Sequence, residues 1–120
     1  MADPTVLDPQ AIENLRALSP DTDNSFLREL IEIYLQDTPE RIAEIENAIA
    51  QGNAGAAMRA AHTIKGSSGN FGARQLVARA LEIETLAKAG NLAPIPALLQ
   101  VLKDEYAQVG VALTRLAAGD

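Results

Sequence analysis

The chain has 120 residues, 48% of them hydrophobic and 22% charged, which is the balance of one soluble globular domain with a single core rather than of a disordered chain. It has no cysteine and one histidine, which excludes a disulfide scaffold, a thiolate metal site, a cysteine nucleophile and any zinc site that needs two imidazoles. Aromatic residues are 3% with no tryptophan, and the formal net charge is −6, so neither base stacking nor phosphate neutralisation favours a nucleic-acid partner. No apolar run is long enough to span a membrane, and the start Met1-Ala2-Asp3-Pro4 is unlike a signal peptide, so a cytoplasmic protein without membrane contact is expected.

Residues 1–7 are expected to be a flexible N-terminus ahead of one helical domain over 8–118. Asp8-Pro9 reads as an N-cap followed by proline in the first turn, opening a short helix through Ile12, Leu15 and Leu18. The polar stretch from Ser19 to Ser25 reads as a turn. A second helix puts Phe26, Leu27, Leu30, Ile33 and Tyr34 on one stripe and is expected to end near Asp37. Thr38-Pro39 repeats the cap-then-proline signal for a third helix carrying Ile42, Ile45 and Ile49, which Gly52 ends.

Asn53 can cap a fourth helix over roughly 54–70, and a fifth runs from about Ala73 to Ala89 with Leu76, Val77, Ala80, Ile83 and Ala87 inward. Gly90-Asn91 ends it, and the last helix starts after Pro94 or Pro96. Its apolar residues Leu98, Leu102, Tyr106, Val109, Leu113 and Leu116 recur at steps of four and three, the seam of a long bundle helix. Short links between the long helices favour antiparallel neighbours. The expected fold is all-α: an up-down four-helix bundle from about Thr38 to Ala118, with two additional N-terminal helices packed against it.

The fourth helix departs from the others. At 100° per residue, Gly66, Gly69, Met58 and Gly55 fall within roughly 40° of His62, and Arg59 and Lys65 within roughly 60° on either side. Ala57, Ala60, Ile64, Ser68 and Phe71 fall opposite and read as the core face. His62 therefore points outward from a surface bordered by glycines. A glycine inside a helix costs about 1 kcal/mol relative to alanine, so something should offset Gly66 and Gly69. Gly66, one turn beyond His62, leaves room for another protein to approach the imidazole; close helix packing is the structural alternative. For Gly69 a helix-end role competes with a docking role, and for Met58 gap filling competes with docking.

From Asn47 to Leu81 there is no acid, while Arg59, Lys65, Arg74 and Arg79 supply four positive charges on an otherwise acidic chain. Such a patch suggests an anionic ligand or an acidic partner surface; a solvated face that lacks acids is the alternative. Lys65 is one turn from His62, where its ammonium could neutralise phosphate oxygens on the ring. A lone outward histidine has too few partners for a metal, and no nucleophile elbow or buried acid marks a hydrolase triad. It suits nucleophilic attack on phosphorus, because an imidazole with an ordinary pKa near 6.5 is substantially neutral at pH 7 and the phosphoramidate it forms is labile.

The run His62-Thr63-Ile64-Lys65-Gly66-Ser67-Ser68-Gly69-Asn70-Phe71-Gly72 resembles the signature of histidine-containing phosphotransfer (HPt) domains of multistep phosphorelays. The resemblance implies that His62 accepts a phosphoryl group, that Lys65 stabilises it and that Gly66 keeps the ring accessible. The family commonly has a glutamine or glutamate on the next helix that bonds the non-reacting ring nitrogen; the matching position is Glu84, which could instead be a plain surface acid like Glu82. Glutamate there is also similar to the phosphoacceptor domain of chemotaxis-type histidine kinases, which leaves the phosphoryl donor open.

The resemblance implies a phosphocarrier without an ATP site or turnover of its own, and the exposed face around His62 suggests a monomer. Its partners would be response-regulator receiver domains or a hybrid histidine kinase, docked on Met58, Arg59 and Gly69 around the histidine. No cofactor is expected on the chain, with Mg²⁺ held by the receiver. A helical adaptor that binds receivers or kinases without carrying phosphate would use the same patch but would not need His62.

Overall fold

Helix formation follows the caps and the apolar spacing almost throughout the computed structural model, which describes residues 6–18 and 24–119. Helix α1 spans Pro9–Ala17, α2 Ser25–Gln51, α3 Ala54–Gly69, α4 Arg74–Lys88 and α5 Ile95–Ala117. Asp8 caps α1, its Oδ1 accepting from the Gln10 N–H at 3.0 Å, and Pro9 occupies the first turn. Leu18 lies beyond the helix end and is exposed. The expected turn lies outside the described residues from Ser19 to Asp23; Asn24, in a left-handed conformation, precedes α2. Gly52 and Gly90 end α2 and α4 with positive φ, and the N–H groups of Asn53 and Asn91 reach back to the carbonyls of Ala48 and Leu86, both at 2.8 Å. Asn53 also caps α3, its Oδ1 accepting from the Ala56 N–H at 3.1 Å.

The expected break at Thr38-Pro39 does not occur. α2 runs unbroken through Pro39, so the bundle helices are α2 to α5 and only α1 is additional. Two things outweigh the usual cost of about 3 kcal/mol for a proline inside a helix. The buried stripe Leu27, Ile31, Tyr34, Thr38, Ile42, Ile45, Ala48 crosses the proline without a change of face. The Leu35 carbonyl, which loses its i+4 donor at Pro39, accepts instead from the Tyr106 hydroxyl of α5 at 3.3 Å. Ile33 lies off this stripe and is 57% exposed, contrary to its expected core position.

α2 and α4 each pack against α3 and α5, which gives the expected ring of four helices, and the α3–α4 contact is the most extensive. α1 packs on α2 and clasps the α3–α4 turn. The Asp8 N–H donates to the Gly72 carbonyl at 3.1 Å, and Arg74 pairs with Asp8 at 3.0 Å. Gly72 has φ +66°, and a Cβ there would stand 2.3 Å from the Asp8 Cβ, so only glycine fits. Leu7 is fully buried and Val6 packs on the core, so the packed domain begins before Asp8 and these two residues are not part of a flexible N-terminus. No helix among the described residues is long and apolar enough to cross a membrane.

Tyr34 sits at the centre of the core. Its hydroxyl and the Ser68 Oγ share a buried hydrogen bond of 2.7 Å, and its ring lies 5.1 Å from Phe71 and 6.0 Å from Tyr106. Burial pushes its phenol up to about 12. Tyr106→Phe should cost about 0.5–1 kcal/mol in urea unfolding, because Leu35 loses its donor, and the cost should nearly vanish in a Pro39→Ala background that restores a backbone N–H to that carbonyl.

Candidate functional site

The two faces of α3 divide as the spacing requires. Ala57, Ala60, Ile64, Ser68 and, past the helix end, Phe71 are buried, while the His62 side chain is 66% exposed on the opposite face. Ala61 is buried as well.

The arrangement around His62 centres on Glu84 of α4. Its Oε2 lies 2.8 Å from the His62 Nδ1 and its Oε1 2.6 Å from the Lys65 Nζ. The carboxyl is held below its ordinary range, first by the Lys65 hydrogen bond, with the His62 bond acting in the same direction and burial opposing both. An ionised carboxylate can only accept, so the proton of a neutral imidazole is held at Nδ1 and the lone pair of Nε2 faces solvent.

Gly66 is open: a Cβ built there meets nothing within 4 Å, so packing does not require glycine. Gly69 is the last residue of α3, and its Cβ would just touch a Val77 methyl at 4.0 Å, so helix contact does not explain it either. Met58 is half-buried against the core, and Arg59 is exposed with its guanidinium lying back over Gly55.

The expected patch of four free positive charges is largely neutralised. Lys65 pairs with Glu84, Arg74 with Asp8, and Arg79 with Glu82 and with Glu105 at 3.1 Å; among the described residues only Arg59 of the four has no acid. The acids come from other helices or from the next turn, which a count along one stretch of sequence does not see. Sequence reasoning also missed the Tyr34–Ser68 bond that ties α3 to α2, although Ser68 on the core face was its signal. Beside the C-terminal half of α3, a groove of about 120 Å³ is lined by Leu30, Ile33, Asp37, Ser67 and Asn70.

A helical bundle that presents one solvent-facing imidazole, with one ring nitrogen fixed and the other free, is built to carry a group rather than to bind a substrate in a pocket. The comparisons agree. The sequence matches the Hpt domain family over residues 29–112. The chain is similar over 98% of its length to 99% of the crystal structure of histidine-containing phosphotransfer protein B (HptB) from Pseudomonas aeruginosa PAO1, with TM-score 0.89 and 26% identity. Among curated proteins no sequence match is found. The chain belongs to the Hpt domain family, whose members are phosphocarriers working with receiver domains and histidine kinases, and its function is histidine phosphotransfer in a phosphorelay.

Two measurements check the site. Nitrogen NMR at alkaline pH should find the His62 proton on Nδ1, and Glu84→Ala should move it towards Nε2. The folded Glu84 carboxyl titrates below its unfolded value, so its contribution to stability is present above the unfolded pKa and is lost as pH falls through the folded one. Wild type should therefore exceed Glu84→Gln by about 1 kcal/mol in urea unfolding at neutral pH, with the gap closing below the ordinary carboxylate range.

Proposed function

We propose that His62 is the phosphoacceptor and that the chain shuttles a phosphoryl group between aspartates of receiver domains. The observation that carries this reading is the 2.8 Å bond between Nδ1 and Glu84 on a ring that is otherwise exposed. The Nε2 lone pair attacks the phosphorus of a receiver's aspartyl phosphate. The N–P bond forms as the P–O bond breaks, and that electron pair leaves with the aspartate carboxylate. No proton has to leave Nε2, and the positive charge of the phosphorylated ring is offset by Glu84. In the second half the aspartate of another receiver attacks the phosphorus and the N–P electron pair returns to Nε2. The ring leaves as a neutral imidazole with its proton still on Nδ1.

On this reading Glu84 orients the ring, Gly66 gives the receiver access, and Met58, Arg59 and Gly69 form the docking surface. Exposed Ile33 extends that surface onto α2. Lys65 stabilises the phosphoryl group when it can leave Glu84. The chain works as a cytoplasmic monomer without an ATP site or turnover of its own. The Mg²⁺ that such transfers use belongs to the receiver's carboxylates.

Phosphotransfer from a panel of phosphorylated receiver domains tests this, with wild type beside His62→Gln. Acid-labile, base-stable label on wild type alone is the expected result; equal receiver binding by both proteins with label on neither would make the chain a non-catalytic adaptor. Gly66 separates access from stability. Gly66→Ala should stabilise the fold by about 1 kcal/mol, since its Cβ meets nothing within 4 Å. Gly66→Leu should fold as well, yet lower the transfer rate by about tenfold or more by holding the incoming phosphorus away from Nε2.

A further inference from the structure

We propose that Glu84 also sets how long the phosphoryl group stays on His62, by competing with it for the Lys65 ammonium. This rests on His62 as the phosphoacceptor.

A phosphoryl dianion on Nε2 projects from a ring that is 66% exposed, so its only protein cation is one that can reach it. Of the bases on this part of the chain, Arg74 and Arg79 are paired with acids of their own. Arg59 lies over Gly55, towards the start of α3 and away from the histidine. Lys65 is three residues after His62, a neighbour on the helix surface, and its side chain is 28% exposed. Its Nζ, however, is held 2.6 Å from Glu84, whose side chain is only 17% exposed and is fixed at its other oxygen by the Nδ1–H.

After transfer, two anions share one ammonium. The carboxylate is better shielded from water and already fixed by two donors, so it keeps the larger share. The phosphoryl group is left under-neutralised and is released readily to the next acceptor. A glutamine at position 84 would accept from Nδ1–H through its amide oxygen but carry no charge. It would give up the offset to the delocalised charge of the ring, yet leave Lys65 free to bond the phosphoryl oxygens directly, which is the larger effect.

Wild type, Glu84→Gln, Lys65→Met and the double variant would each be phosphorylated with phosphoramidate, freed of reagent, and followed by phosphorus NMR as the phosphohistidine signal decays. Glu84→Gln should lengthen the lifetime by about threefold, the scale of one partly exposed ion pair, and should not lengthen it in the Lys65→Met background, where only the lost offset to the ring charge remains. An unchanged lifetime in Glu84→Gln overturns the proposal. So does an equal lengthening with and without Lys65, which would mean that residue 84 acts on the ring or the phosphoryl group directly. Failure of the underlying reading is distinct: wild type then takes up no label, or His62→Gln takes up as much.

Discussion

The site depends on how closely α4 can approach α3. Glu84 and His62 lie 22 positions apart on separate helices, and their side chains meet at 2.8 Å. The buried faces of the two helices are built largely from small residues: Ala57, Ala60 and Ala61 on α3, Ala80 and Ala87 on α4. Helix separation is set by the side chains between the axes, and alanine permits the nearest approach short of glycine. Larger core residues, Ile64, Leu76 and Ile83, fill the remaining volume. With leucines in place of the alanines, a short glutamate could no longer bridge the gap, and the imidazole would turn freely.

α3 must also stay helical while carrying glycines at Gly55, Gly66 and Gly69. Its stability is supplied from outside its own sequence. Asn53 caps its start, the buried Tyr34–Ser68 bond anchors its last turn to α2, and the Asp8–Gly72 contact clasps the turn that follows. These restraints bracket His62 on both sides. They let the outer face be chosen for access to the ring, at a cost in helix propensity that the core face and the two ends offset.

Local signals were legible in the sequence wherever a helix end is decided by its own neighbours. Asp8-Pro9, Gly52-Asn53 and Gly90-Asn91 mark helix ends in the structure as in the sequence, because caps and left-handed glycines act over a few residues. The outward face of α3 was legible for the same reason, since it follows from 3.6-residue periodicity. The local pattern at Thr38-Pro39 predicts a break that does not occur, because the carbonyl that Pro39 frees is satisfied by Tyr106, 71 positions from Leu35, and no local pattern carries that information. Ile33 falls on the inner stripe only when the second helix is taken to end at Asp37; carried through to Ala48, the buried stripe passes it by. The charge patch misled likewise, because Lys65, Arg74 and Arg79 find acids through the fold. Glu84 was found by family likeness; its grip on Lys65 as well as His62 was visible only in three dimensions.

That double grip bears on what a carrier needs. An intermediate that passes a group in either direction works best when neither the loaded nor the empty state is a deep well. A carboxylate bound only to the imidazole would stabilise the charged, phosphorylated ring more than the neutral empty one, and would load the carrier at the expense of unloading. Lys65 offsets part of the Glu84 charge in the empty state, and with it part of that bias. On the proposed reading, the same ammonium, three residues from His62, would serve the phosphoryl oxygens, and whatever it gave to the loaded state it would first withdraw from Glu84. With His62 as the proposed phosphoacceptor, Lys65 and Glu84 would thus bring the free energies of the two states closer together than either residue would alone, which is the condition for reversible transfer.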